Sequence, residues 1–290
     1  MDNTAAAKAA GWVNGFIGVT IFSGSLPATR VALQDFAPGF LTFSRASIAG
    51  VCALFLLLAC RESLPARRYL IGLTISAGGV VVGFPLLTAL ALQHITAAHS
   101  IVFLGLLPLS TALFAVIRGG ERPRAAFWLF SLIGSALVAG FALRQPASLS
   151  AVGDLLMLAA VAICGLGYAE GAQLSRALGG WQTICWSLCL SLPIMAIAAL
   201  YTFPVSLSGV HIRGWAALGY VSLFSMLAGF VFWYRGLAAG GIAAVGQLQL
   251  LQPLLGLMLS ALLLDERVSP IMWLTAGGVI VCVAGAKRFT

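Results

Sequence analysis

The sequence predicts an all-α membrane protein of ten transmembrane helices, arranged as two inverted five-helix repeats. Three observations predict it. First, 61% of the 290 residues are hydrophobic and 8% are charged, with a mean hydropathy of +1.04, whereas an ordinary soluble domain has about 25% charged residues. Second, interrupted apolar runs of about 20 residues, the length that crosses a bilayer core about 30 Å thick, recur from end to end. Third, an offset of 145 residues, half the chain, carries Pro108 to Pro253, Glu121-Arg122 to Glu266-Arg267, Trp128 to Trp273 and Gly140 to Gly285.

Polar clusters, Gly/Pro turns and charges delimit the spans in order, at roughly 12–33, 38–60, 68–92, 96–117, 124–143, 153–176, 181–203, 213–235, 241–264 and 270–287. The opening "MDNTAAAKAA" lacks a basic n-region followed by a cleavable apolar stretch, so the first span stays as an anchor. Pro38 opens the second span, and Arg61 and Glu62 close it. Arg67 and Arg68 introduce the third. The fourth starts near Thr96, contains Pro108 and stops at Arg118; the fifth lies between Arg124 and Arg144. Arg176 ends the sixth, a short Gly turn leads into the seventh, and Arg213 and Arg235 bracket the eighth. The ninth runs from Gly241 through Pro253 to Asp265, and Ser269 and Pro270 suit the cap and first turn of the tenth. With connections this short, no separate soluble domain remains.

An even number of spans puts both termini on one side. Lys8, Arg61, Arg67, Arg68, Arg118, Arg122, Arg124, Arg176, Arg235, Lys287 and Arg288 fall there, against Arg30, Arg144, Arg213 and Arg267 opposite, with Arg45 inside the second span. The excess places both termini in the cytoplasm. The same sixteen cations punctuate apolar runs instead of forming a basic stripe, so the net charge of +8 is a topology signal and no nucleic-acid partner is expected.

Because each half holds five spans, the second copy is threaded upside down relative to the first. Residues 1–145 and 146–290 are therefore expected to form one integral transport unit of two inverted repeats, an arrangement that exposes a midplane site alternately to either face. Each half ends in a Glu-Arg pair, a short gap and a Gly-containing last helix, "ERPRAAFWLFSLIGSALVAGFAL" and "ERVSPIMWLTAGGVIVCVAG". With these features the whole chain resembles the drug/metabolite transporter superfamily and its EamA-type exporters. Within that group it is most similar to the bacterial exporters of aromatic amino acids, although no short motif carries the substrate. The resemblance implies a multi-pass protein of the bacterial inner membrane that exports small metabolites, amino acids foremost, with lipophilic drugs as the alternative cargo.

Pro108 and Pro253 each lie twelve residues into their spans, about 18 Å, and so reach the middle of the membrane from opposite sides. A proline inside a helix removes one amide donor and frees a carbonyl, which in lipid must be met by protein or face a wet cavity. The matched pair marks a binding site, a bend that encloses the bundle, or both. Near Pro253, Gln249 and Gln252 lie about 60° apart on a helical wheel and are expected to face the interior, bridging helices or meeting substrate, while Gln247 points elsewhere. Ser23, Phe103, Tyr168 and Ser225 are the other substrate-binding candidates at mid-depth, each of which could equally serve packing.

Of the eight acids, Glu170 alone falls inside a span, where it could gate the cytoplasmic end with Arg235 or Arg176, form a structural pair or relay protons. His99 stands near the opposite mouth and could titrate. Arg45 either snorkels to the interface or meets a substrate carboxylate. With no midplane acid, the residues predict a carrier that follows its substrate gradient or couples weakly to protons; the resemblance pulls toward proton antiport. Trp233 and Tyr234 could close the cavity or sit in an interfacial belt. Gly78-Gly79 and Gly277-Gly278 permit close helix approach and are not phosphate loops, since no P-loop lysine accompanies them. The six cysteines lack metal-site spacing and read as small buried side chains. No cofactor or metal is expected, and no nucleophile-base constellation suggests an enzyme; a channel is disfavoured.

Overall fold

The computed structural model describes residues 2–95, 100, 103–143, 150–264 and 270–289. Among these residues every regular element is helical. The segments fall into the ten expected spans: α1 (Asp2–Ser23, resuming as Ser25–Ala32 after Gly24), α2 (Pro38–Ala59), α3 (Arg67–Ala91), α4 (Leu107–Ile117), α5 (Ala125–Ala142), α6 (Ala151–Leu178), α7 (Gly180–Tyr201), α8 (Ile212–Gly240), α9 (Ile242–Gly246, Gln247–Leu251 and Gln252–Leu264 in succession) and α10 (Pro270–Arg288). Six of them are long and apolar enough to cross a membrane by length and composition, and α4, α5 and the start of α9 are shorter apolar helices. Large apolar side chains such as Phe55, Leu58, Ile71, Ile197 and Leu274 project outward, as a lipid-facing surface requires.

Helix packing follows the repeat. With the offset relating α1 to α6, α2 to α7, α3 to α8, α4 to α9 and α5 to α10, the contact of α1 with α8 has its counterpart in that of α6 with α3. The contact of α4 with α6 likewise mirrors that of α9 with α1, while α2 on α7, α4 on α9 and α5 on α10 map onto themselves. Two halves related by a pseudo-twofold axis would pack in this pattern, the front of each half included. Close approach is made by small residues: a Cβ on Gly11 would meet the backbone of Gly240 at 2.4 Å, and one on Gly79 would meet Gly167 Cα at 2.9 Å. Only one glycine of each predicted pair is used in this way, because Gly78 and Gly277 face open space.

Irregular winding also obeys the repeat. In α3, residues Ala77–Gly83 form a π-helical stretch, and in α8 Tyr220–Ala228 do the same at the equivalent depth. Both prolines stand at the start of a fresh helical segment. Pro108 is the second residue of α4, after a turn at 105–106, and Pro253 follows Gln252 directly after the 3₁₀ stretch Gln247–Leu251. Each proline thus stands in the first turn of its segment, where a missing amide is best tolerated.

Chain ends share one face, here the terminal face: Lys287 Nζ lies 4.5 Å from the Trp12 ring centroid. One large apolar core runs through the bundle, and a small satellite of Phe36, Phe40, Leu41, Leu218 and Val221 packs near the opposite, distal face. Among the cysteines, Cys164, Cys185 and Cys282 are buried, but Cys60 is exposed at the end of α2, contrary to the uniform burial expected.

Candidate functional site

A cavity opens toward the distal face and descends to mid-depth. Its mouth is framed by Thr29, Leu33, Pro38 and Leu92, and its deep wall by Phe22, Arg45, Tyr168, Ser225, Phe230 and Gln252. Both halves contribute, and the π stretches of α3 and α8 supply Val80, Ser225 and Met226. Extra backbone per turn swings residues off the regular helical stripe, which is how Ser225 comes to face α1 and α2.

Of the six substrate-binding candidates, Tyr168, Ser225 and Gln252 line the cavity. The other three do not. Ser23 is buried with its hydroxyl donating to Val19 O at 2.7 Å and Thr20 O at 3.0 Å, so it is spent within its own helix. Phe103 packs in the core, and its neighbour Leu104 takes the place on the wall. Gln249 lies one turn nearer the terminal face, buried beneath the cavity, with its amide close to the Tyr168 hydroxyl but in poor hydrogen-bond geometry. Gln247 is also fully buried, against the expectation that it points elsewhere, because α9 is enclosed on every side from Ile242 to Leu250. Pro108 and Pro253 are buried beside the cavity, with Leu107 and Gln252, their predecessors, on its wall.

Arg45 does not snorkel. Seven residues into α2, about 10 Å below its start, its guanidinium turns into the cavity, and Nη2 donates to Ser225 Oγ at 3.2 Å. The Ser25 hydroxyl donates to the same oxygen at 2.7 Å. Arg45 Nε is shut off from solvent and has no partner, and Thr88 Oγ1 on the same cavity wall has none either. Among the described residues that line the cavity, Arg45 is the one charged side chain. An arginine at membrane depth costs roughly 3 kcal/mol or more. Among the described lining residues no carboxylate offsets that cost.

Below the cavity the bundle is sealed. Phe22, Tyr168, Phe230, Trp233 and Tyr234 form an aromatic cluster with centroid separations of 5.0 Å for Phe22–Phe230 and 5.5 Å for Tyr168–Trp233. Trp233 and Tyr234 are completely buried, so both belong to the floor and not to an interfacial belt. Tyr234 Oη is 2.8 Å from Ser76 Oγ, which in turn accepts from Ser187 at 3.3 Å. Gly171 makes room for this ring, since a Cβ there would lie 2.2 Å from Tyr234.

Nearer the terminal face, charges are matched. Glu170 is paired and hydrogen-bonded with Arg118 at the end of α4, which raises the Arg118 pKa above its ordinary value. That corrects the expected pairing of Glu170 with Arg235 or Arg176: Arg235 is exposed, and Arg176 reaches Glu121 Oε1 at 3.3 Å and Ala238 O at 3.3 Å. The Glu121 carboxylate also accepts from the Ile242 and Ala243 amides, each at 2.8 Å, and so caps the start of α9. Glu121 of the first Glu-Arg pair thus ties the two halves together. Glu266 and Arg267, like the mouth candidate His99, lie outside the described residues.

Sequence comparisons agree with this architecture. The model of the EamA-like transporter family matches twice, over residues 9–142 and 151–286. An uncharacterized transporter of Bacillus subtilis, YdeK, is 62% identical over 279 residues, covering 96% of this chain and 97% of that relative. A second from the same organism, YyaM, is 21% identical over 254 residues, covering 84% of this chain and 83% of its own. A solved structure, described only as a protein crystal structure, superposes with a TM-score of 0.81 at 19% identity, covering 96% of each chain. The chain belongs to the EamA-like transporter family.

Proposed function

We propose that the chain is an alternating-access exporter of amino acids, aromatic ones included, in the bacterial inner membrane, with both termini in the cytoplasm and residues 1–145 and 146–290 acting as one transport unit. One observation carries the reading: a central cavity built by both repeats is open to one face and sealed toward the other by an aromatic floor and an ion-paired layer. A carrier exchanges which face is sealed; a channel would need both open. With the termini cytoplasmic, the open face is periplasmic, the state from which an exporter releases its cargo.

The lining supports the substrate. Phe22, Phe84, Tyr168 and Phe230 offer an apolar, aromatic surface to a side chain, while Arg45, Ser25, Ser225 and Gln252 offer hydrogen bonds to a polar end. A lipophilic cation fits worse, because it would meet a guanidinium and, among the described lining residues, no carboxylate. The missing acid also favours movement down the substrate gradient or weak proton coupling.

Counterflow in proteoliposomes against a panel of amino acids, nucleosides and lipophilic cations tests the reading. Saturable exchange of phenylalanine, tyrosine or tryptophan is the expected result. Exchange of the cations or nucleosides with none of the amino acids would overturn it.

A further inference from the structure

We propose that Arg45 is the carboxylate anchor of the cavity, and that the cavity takes monoanionic organic carboxylates as a class, of which amino acids are one subset. The inference rests on the reading of this cavity as the transport site. It names the charge state that the cavity recognises, which that reading does not.

Three unspent hydrogen-bonding groups belong to side chains that line the cavity. Ser225 Oγ accepts from both Ser25 and Arg45, which leaves its own O–H proton for a third partner. Arg45 Nε and Thr88 Oγ1 have none. A planar guanidinium whose hydrogen bond goes to a neutral serine can meet a carboxylate in two parallel bonds, and the Ser225 proton can serve the same oxygens. A carboxylate from the substrate would also supply the counter-charge that the protein withholds.

The surrounding acids are committed elsewhere. Asp35 accepts from the His211 backbone amide at 3.3 Å and lies 2.8 Å from His211 Nδ1 near the distal face. Glu170 holds Arg118, and Glu121 caps α9 beneath the floor. An ammonium entering the cavity therefore finds neutral acceptors such as Gln252 and the Ser and Thr hydroxyls, beside a guanidinium that repels it. The anion is rewarded and the cation is not. A 2-oxo acid or N-acylated amino acid keeps the carboxylate and the apolar side chain and sheds the unmatched charge.

Binding to the purified full-length protein, measured calorimetrically, distinguishes these cases with four probes: L-phenylalanine, N-acetyl-L-phenylalanine, phenylpyruvate and L-phenylalaninamide. The wild type is expected to bind the three carboxylates about ten- to a hundredfold more tightly than the amide, the worth of a hydrogen-bonded charge pair. In Arg45→Gln that gap should shrink to about threefold or less, and Arg45→Lys, which keeps the charge but loses the fork, should fall between. Phenylpyruvate and the N-acetyl compound should bind at least as tightly as phenylalanine. Ser225→Ala, which leaves the guanidinium in place, should narrow the gap by a few-fold and carries the test if Arg45→Gln does not fold.

An acid-over-amide gap that survives unchanged in the folded Arg45 variant, or in Ser225→Ala, overturns the anchor. Phenylalanine binding more than tenfold tighter than both ammonium-free acids overturns the claim about charge state, and failure of every carboxylate to bind overturns both. Arg45-dependent binding of phenylpyruvate without amino-acid counterflow leaves the anchor standing and removes amino acids as cargo. Undiminished amino-acid counterflow in Arg45→Gln does the reverse.

Discussion

At the terminal end of the bundle, Glu170 is paired with Arg118, the Glu121 carboxylate is shared by two backbone amides and Arg176, and fully buried Trp233 and Tyr234 lie above them. At the distal end, a comparable depth is occupied by an open cavity whose guanidinium has one serine for a partner and whose Thr88 hydroxyl has none. The two ends are built by the same helix order, yet the acids of one are paired within the protein and the arginine of the other has no carboxylate among the described cavity residues. Two inverted halves make the sealing itself reversible in principle. Paired charges stabilise a state; an unpaired one awaits a ligand.

That contrast predicts effects of different kind and size at the two ends. Trp233→Ala, at the sealed end, should have the largest effect. Removing a buried indole costs about 3–5 kcal/mol, and it opens the floor beneath Phe22 and Tyr168. A drop in the unfolding temperature in detergent, together with non-saturable leak from loaded proteoliposomes, is the expected result; an unchanged unfolding temperature would show that the indole is not what closes the bundle. Glu121→Ala comes next. It strands the Ile242 and Ala243 amides and frees Arg176, for a loss of about 2 kcal/mol. Glu121→Gln, which keeps an acceptor oxygen, should recover part of it, and equal melting of the two variants would break the capping assignment.

Much of this was legible in the sequence, and the unread part has a physical pattern. Span count, the inverted repeat and the prolines as break points follow from hydropathy and register, quantities that depend on order along the chain. What escaped depends on which way a side chain turns in a helix that is not regular. The residue pattern does not reveal that α3 and α8 wind as π-helix, so Ser225 could be placed at mid-depth but not joined to Arg45. Arg45 itself has the composition of a snorkelling residue, and only its contact with α8 turns it inward. Glu170 had several cations within reach along the chain, and tertiary packing of α4 on α6 selects Arg118. Trp233 reads like any interfacial tryptophan until its full burial is known. Ser25 next to the helix break at Gly24 carried a usable signal, a hydroxyl at a discontinuity in a membrane helix, and the choice of Ser23 missed it by two residues.

The smallest effect, and the finest test of the contrast, compares two glutamines three residues apart. Gln252 lies on the cavity wall, and Gln249 lies beneath it with its amide in poor hydrogen-bond geometry beside Tyr168. If the open end is built for a ligand, Gln252→Ala should weaken substrate binding by a few-fold, the worth of one neutral hydrogen bond, and leave the unfolding temperature within about a degree or two. Gln249→Leu should do the opposite. It fills the same space with no buried unsatisfied amide, so stability should rise by about 1 kcal/mol while affinity is unchanged. A loss of affinity at Gln249 with none at Gln252 would move the binding site down one turn into the sealed region. The division between the sealed end and the open end would then have to be drawn lower in the bundle.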